Sequence, residues 1–171
     1  MYQDAYAECN VARKNPPFVK VLTGIMIAMC VITLLWGFFL LAPLMLAVFL
    51  VLLVMNYFQM LNSNLEYEYL YVSGELDFDV IKWQRSRKRI KVVNLDNVTV
   101  IAPTKSDRAK AYGGRNLKTV DYSSRTGADT YLIAYKDSGS SDEQLIIFEP
   151  DERMINTLKA AAPNKVSTNE Y

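Results

Sequence analysis

Histidine is absent from the chain, and cysteine occurs at only two positions, Cys9 and Cys30. Without histidine, the sequence lacks the commonest general base and the commonest metal ligand. No serine, threonine or cysteine has a recognisable activating base, and a disulfide framework is not indicated, because Cys30 lies inside a long apolar run. We therefore expect a protein that is not an enzyme, with no catalytic residues, no metal ion and no cofactor.

Charged residues are missing from 45 consecutive positions, from Val21 to Leu65. A membrane-spanning helix needs roughly 20 apolar residues, so this run is too long for one crossing and suits two. A cleavable signal peptide has a much shorter apolar stretch, of about 7–15 residues. The run therefore predicts a transmembrane helical hairpin over residues 18–61, with spans at about 19–40 and 43–61.

Positive charges flank the hairpin but are absent from its connecting loop. Arg13, Lys14 and Lys20 precede the first span, and a second basic cluster follows some twenty residues after the second span. Because lysine and arginine are enriched on the cytoplasmic side, we expect a protein of the cell membrane with both termini in the cytoplasm.

Residues 1–17 form an N-terminal amphipathic segment. Tyr2, Ala5, Tyr6, Cys9 and Ala12 recur at helical spacing. This pattern predicts a short helix that lies on the membrane surface, and a frayed tail is the alternative.

After Leu65 the hydrophobic period changes from that of a helix to that of a strand. The segment 75–80 alternates strictly between acidic and apolar residues, which is typical of a half-buried strand. Seven strands are predicted: 65–72, 75–80, 88–94, 98–102, 118–122, 130–136 and 144–149. Residues 103–116 are expected to be a long polar loop. A last amphipathic helix, 151–162, carries Met154, Ile155 and Leu158 on one face, and residues 164–171 are expected to form a disordered tail.

Seven strands closed by a C-terminal helix are the elements of the pleckstrin-homology (PH) fold. The order of two membrane helices, then Tyr67-Glu-Tyr-Leu-Tyr-Val-Ser-Gly-Glu-Leu76, a basic stretch and Val92-Val-Asn-Leu-Asp-Asn-Val98 resembles bacterial membrane-anchored PH-like proteins, closest to an uncharacterised family. The resemblance implies an α+β membrane protein: a two-helix transmembrane hairpin, then a cytoplasmic PH-like β-barrel or sandwich over 62–163, capped by the C-terminal helix. It implies no activity, because a fold does not fix a function.

The strongest local feature is a basic stretch over residues 82–91. Its candidate contact residues are Lys82, Trp83, Arg85, Arg87, Lys88 and Arg89. One hypothesis is that they bind anionic lipid headgroups, with Trp83 at the interface. The other is that they pair across strands with Glu75, Asp77 and Asp79.

A second group of basic candidates, Arg108, Lys110 and Arg115, lies in the expected polar loop, where a partner contact and plain disorder are both open. From Asn62 onward the chain has 16 basic and 16 acidic residues, so no basic field for nucleic acid is present and no nucleic-acid partner is expected.

These features favour a non-enzymatic, membrane-anchored interaction or scaffold module that presents its domain to a protein partner. An accessory subunit that contacts a membrane assembly through its hairpin is the alternative, and a lipid-headgroup-sensing domain is another. Membrane lipids are the expected partner of the hairpin, and the sequence leaves homo-oligomerisation open.

Overall fold

The computed structural model describes residues 5–15, 17–40, 43–63, 65–82, 85–137 and 142–168. The chain divides into two compact units, a helical unit over 14–65 and a β-rich unit formed by the residues on either side of it. The helical unit is therefore an insertion between two parts of one β domain.

The helical unit consists of two contacting helices, α1 (Pro17–Phe39) and α2 (Pro43–Ser63). Both are long and apolar enough to cross a membrane. Pro43 opens α2, as expected for a residue whose missing N–H costs nothing in the first helical turn. The helices approach each other closely at Gly37, where an added Cβ would lie 2.9 Å from Leu46 Cδ2, whereas one at Gly24 would meet nothing within 4 Å.

Two side-chain hydrogen bonds join the helices among the described residues. Gln59 Nε2 donates to Thr23 Oγ1 at 2.9 Å, and Asn56 Nδ2 donates to Cys30 Sγ at 3.2 Å. These two hydrogen bonds link α1 to α2.

The β domain contains eight strands among the described residues, in two four-stranded sheets. The first sheet has the order β1 (Tyr6–Ala12), β2 (Leu65–Val72), β3 (Glu75–Lys82) and β4 (Ser86–Asn94). The second contains β5 (Val98–Pro103), β6 (Lys118–Asp121), β7 (Tyr131–Lys136) and β8 (Glu143–Phe148), in the order β5-β7-β8-β6. The seven strands that follow the hairpin lie where the sequence predicts them, and β1 is additional.

The prediction of an N-terminal helix is wrong over the described residues. Residues 6–12 form β1, which pairs antiparallel with β2 from Tyr6↔Val72 to Ala12↔Glu66. Alternate side chains, Ala7 and Cys9 among them, face the same side as the buried tyrosines of β2. A period of two was also present in this short segment, and strand pairing selects it over the helical period.

The two sheets meet through aromatic side chains. Tyr69 and Phe78 of the first sheet pack with Phe148 of the second at centroid distances of 5.5 to 5.9 Å. Tyr69 Oη donates to the backbone carbonyl of Tyr122 at 2.5 Å. Its buried hydroxyl is thereby satisfied within the core, as a buried tyrosine requires.

The C-terminal helix is confirmed as α4 (Glu152–Ala161). Asp151 caps its N-terminus, where the carboxylate accepts from Met154 N at 2.7 Å. Met154, Ile155 and Leu158 are buried as the apolar face predicts.

Two loop predictions are corrected. Within 103–116, Ser106 caps a short helix, α3 (Asp107–Gly113), so this segment is not a continuous loop. Residues 165–167 pair with β5 through Ile101↔Val166, and Val166 is buried. The prediction of disorder is therefore wrong for these residues, because the free backbone groups of β5 bind them. For residues 169–171 the prediction lies outside the described residues.

Candidate functional site

The basic stretch lies on the β3–β4 hairpin at one edge of the first sheet. Asp79 pairs with Arg89, Ile81 with Arg87 and Val80 with Lys88. Because side chains alternate between the faces of a strand, Arg87 and Arg89 share a face with Asp79, while Lys88 lies on the other. A bulge between Phe78 and Asp79 shifts the register of the two strands, so that Asp79 lies opposite Arg89 and not opposite Ile90.

Arg87 connects three strands. Its Nε lies 2.6 Å from Asp79 Oδ2 on β3 and 2.9 Å from Glu68 Oε2 on β2. The two carboxylate side chains are 4% and 8% exposed, whereas that of Arg87 is 49% exposed. The guanidinium therefore neutralises two acids that are almost completely shielded from water.

Arg89 makes the second pair of this network. Its Nη2 lies 2.7 Å from Asp77 Oδ2, and its Nε lies 3.7 Å from Asp79 Oδ1. Asp77 and Asp79 are confirmed as partners of the basic strand, but Glu75 lies opposite Asn94, beyond these arginines. Sequence reasoning missed Glu68, although the alternation of tyrosine and glutamate in β2 placed its carboxylate on this face.

Two acidic members of the network, Glu68 and Asp77, have raised pKa values. Burial raises the pKa of Glu68, an effect that the charge of Arg87 partly offsets. Burial likewise raises the pKa of Asp77, opposed by Arg89. The hydrogen bond to Asp79 raises the pKa of Arg87, so the arginine remains charged. These groups suit a structural ion network, and the arginines engaged in it have little freedom to bind a ligand.

Lys91 is also occupied, but on the opposite face of β4. Its Nζ lies 2.6 Å from Asp137 Oδ2 and 5.1 Å from the centre of the Tyr135 ring. This side chain connects the edge of the first sheet to the second sheet.

The other described cations of the β3–β4 hairpin lie outside these ion pairs. Lys82, Arg85 and Lys88 are exposed, and none forms an ion pair with any residue that the structure describes. The prediction for Trp83 lies outside the described residues. The basic stretch therefore contains a paired set, Arg87, Arg89 and Lys91, and an unpaired set, Lys82, Arg85 and Lys88.

The second group of candidates lies on and after α3. Lys110 pairs with Asp107 at 2.8 Å, and Arg115 pairs with Glu143 at 3.3 Å and lies over the Tyr112 ring. Arg108 is exposed, without an ion pair among the described residues. These contacts are local, and they do not converge on a common binding site.

Within the described ranges, no group of three or more acidic or cysteine side chains is arranged to hold a metal ion. Cys9 and Cys30 are both free thiols. Burial raises the pKa of Cys9, which keeps its thiol protonated and poorly nucleophilic.

The family model described as Bacterial PH-like domain (DUF6106) matches residues 3–168. No curated protein and no solved structure matches the chain. The match includes β1, both apolar helices and the whole β domain, so the inserted hairpin lies within the family's own pattern. The chain belongs to the bacterial PH-like domain family.

Proposed function

We propose that this protein is a non-enzymatic, membrane-anchored interaction module, in which a transmembrane hairpin interrupts a cytoplasmic PH-like domain between its first two strands. One observation carries the proposal: β1 and β2 are paired along seven residues, although both apolar helices separate them in the chain. Two strands of one sheet cannot lie on opposite sides of a bilayer. The hairpin must therefore return to the side from which it started.

The exposed apolar surface of the helices supports the proposal that they cross a membrane. Large apolar side chains such as Trp36, Phe38 and Phe39 are 57% to 75% exposed. Soluble proteins rarely expose apolar patches of this extent, and hydrocarbon is the solvent that accepts them. Gln59 of α2 contacts Thr23 of α1 through a hydrogen bond between their side chains.

Arg13 and Lys14, just before α1, and Lys20, in its first turn, support a cytoplasmic location for both termini. Reporters fused to the N-terminus and after Tyr171 should both score cytoplasmic, and one inserted after Leu40 should score on the opposite side. Opposite locations for the two termini would overturn the proposal, because β1 and β2 would then be separated by the membrane.

The interaction role rests on the PH-like domain, whose described residues offer exposed edges and a groove but no catalytic constellation. β4 is an outer strand of its sheet, and a groove of about 470 Å³ runs beside it, lined by Glu75, Asn94, Tyr135 and Lys136 among others. An extended segment of a partner protein can add to such an edge through backbone hydrogen bonds.

An accessory subunit that acts through its hairpin is the second candidate, favoured by the amide of Asn56, whose buried Oδ1 has no hydrogen-bond partner among the described residues. The two functions are separated by replacing residues 17–63 with an unrelated two-span hairpin. Partners that co-purify in mild detergent should be kept if the domain binds them and lost if the hairpin does.

A further inference from the structure

The residues after α4 form an ordered segment along β5. Ile101 N donates to the carbonyl of Lys165, and Ser167 N donates to the carbonyl of Ile101, both at 2.8 Å. Val166, between them, is 4% exposed. The C-terminal segment, residues 163–168, is therefore held in place by backbone pairing and by a buried side chain.

A cavity of about 310 Å³ lies between this C-terminal segment and the helices α3 and α4. Its polar lining consists of Arg108 from α3, Lys159 from α4, and Asn164, Ser167 and Thr168 from the C-terminal segment. Among the described residues, no carboxylate lines it. Two cations and three neutral polar side chains therefore surround this space.

The two cations are not neutralised elsewhere in the described chain. Arg108 and Lys159 are both exposed, and neither forms an ion pair with any residue that the structure describes. The acid next to Arg108 in the chain, Asp107, is paired with Lys110 at 2.8 Å. Lys159 Nζ donates to Thr168 Oγ1 at 3.0 Å, a neutral partner that leaves its charge uncompensated. An anion in the cavity therefore meets two positive charges.

We propose that this cavity binds the phosphate group of a small soluble phosphate monoester. Such a group has three strong acceptor oxygens and close to two negative charges at about pH 7, which match the two cations. The planar guanidinium of Arg108 can donate two parallel hydrogen bonds to it, and the Lys159 ammonium acts as a second point charge. Asn164, Ser167 and Thr168 supply further donors, so donors are available for all three oxygens, whereas a carboxylate has only two.

The size and the place of the cavity limit the ligand. Its volume is close to the lower end, roughly 300 Å³, of the range for small-molecule pockets, which suits a compact molecule and not a protein segment. All of its lining residues belong to the β-rich unit. The inference therefore does not depend on the proposed membrane anchorage, and it adds a small-molecule ligand to the proposed interaction role.

A bound phosphate joins α3, α4 and the C-terminal segment. Because the complete cavity exists only while that segment is paired with β5, binding should stabilise the pairing. The backbone N–H of Ser167, which donates to Ile101, reports on it. Its hydrogen exchange should slow when the ligand binds.

The test is isothermal titration calorimetry of the full chain in mild detergent at constant ionic strength, with glycerol phosphate as the probe. We expect saturable binding of glycerol phosphate and no saturable binding of acetate or chloride. Arg108→Gln and Lys159→Gln should each weaken the affinity by about tenfold or more, the effect of losing a hydrogen bond to a charged group. Both substitutions replace exposed side chains, so without the probe both variants should melt like the wild type.

The matched control variants are Lys118→Gln and Lys136→Gln. They remove the same charge from exposed positions of the same domain, and neither lysine lines the cavity or has an ion pair among the described residues. Their affinity for glycerol phosphate should equal that of the wild type. Equal losses in the cavity and control variants would reveal a general effect of net charge and would overturn the inference.

A second arm separates a soluble ligand from a lipid headgroup, which also carries phosphate. Phosphatidic acid mixed into the detergent micelles presents a phosphate monoester on a lipid, and the exchange of the Ser167 amide is followed by nuclear magnetic resonance. Protection by soluble glycerol phosphate supports the inference. Protection by phosphatidic acid alone, no saturable binding of glycerol phosphate, or equal binding of acetate would each overturn it. None of these results bears on the membrane crossing or on the edge of β4, so the inference and the proposed function fail separately.

Discussion

Removal of Arg87 is the sharpest test of the ion network on the first sheet. Arg87→Gln leaves two buried carboxylates, Glu68 and Asp79, without the guanidinium that now lies 2.9 Å and 2.6 Å from them. Removing one partner of a fully buried ion pair costs about 3–5 kcal/mol. Because half of the Arg87 side chain is exposed, solvent screening lowers our expectation to about 2 kcal/mol.

The measurement is thermal unfolding of the full chain in mild detergent, followed by the near-ultraviolet circular dichroism of the buried tyrosines. At roughly 4 °C per kcal/mol, the melting temperature should fall by about 8 °C. Lys88→Gln is the matched control, since Lys88 is the next residue of the same strand, is exposed and has no ion pair among the described residues. Its effect should stay within about 0.5 kcal/mol.

The loss of stability caused by Arg87→Gln should also depend on pH. The pKa of Glu68 is raised above its ordinary value of 4.5 by burial, and Arg87 opposes that rise. The folded chain therefore takes up this proton before the unfolded chain as the pH falls, and protonation favours folding. Without Arg87 the pKa rises further, so the deficit of Arg87→Gln should shrink between about pH 7 and about pH 5. Equal melting of the Arg87 and Lys88 variants, or a deficit that grows towards acid, would refute the reasoning.

Two further substitutions test the packing inside each of the two units. Leu158→Ala should lower the stability of the β domain by about 2–5 kcal/mol in the same thermal assay, because Leu158 is fully buried. Lys159→Ala, on the exposed side of α4, should be near neutral. Equal effects of the two substitutions would show that α4 is not part of the core. Gly37→Val should destabilise the helical hairpin by about 1–3 kcal/mol in a titration with sodium dodecyl sulfate, because the valine side chain would overlap Leu46. Gly24→Val meets open space and should not destabilise the hairpin. Unchanged stability of the Gly37 variant would contradict the close approach of the helices.

Much of the fold could be predicted from the sequence because its determinants are local. The uncharged run from Val21 to Leu65 predicts two helices, and a helix needs no partner to satisfy its backbone hydrogen bonds. The alternation in 75–80 identifies a strand and its two faces. Ser73 and Gly74, residue types that are common in tight turns, join β2 to β3, and both have the positive φ angles, 47° and 98°, that a two-residue hairpin turn of this kind requires.

The site was only half predictable. Pairing of the basic stretch with Asp77 and Asp79 followed from adjacency of β3 and β4, but the position of the bulge decided which cations share their face. That choice separates Arg87 and Arg89, which are engaged in the network, from Lys88, which is not. Glu68 enters the network only because β2 lies beside β3 and the Arg87 side chain reaches across it.

The sequence by itself determined the two long apolar helices, the seven strands that follow them and the apolar face of α4, since each depends on a pattern of neighbouring residues. Only the tertiary structure decided the fate of residues 6–12, whose short pattern fits both a helix and a strand. Their partner, β2, begins more than fifty residues later, on the far side of two apolar helices. An edge strand has unpaired backbone N–H and C=O groups, which can pair with any segment that reaches them. No local pattern encodes which segment that is. The insertion of the hairpin within the domain, rather than in front of it, is therefore a consequence of long-range strand pairing.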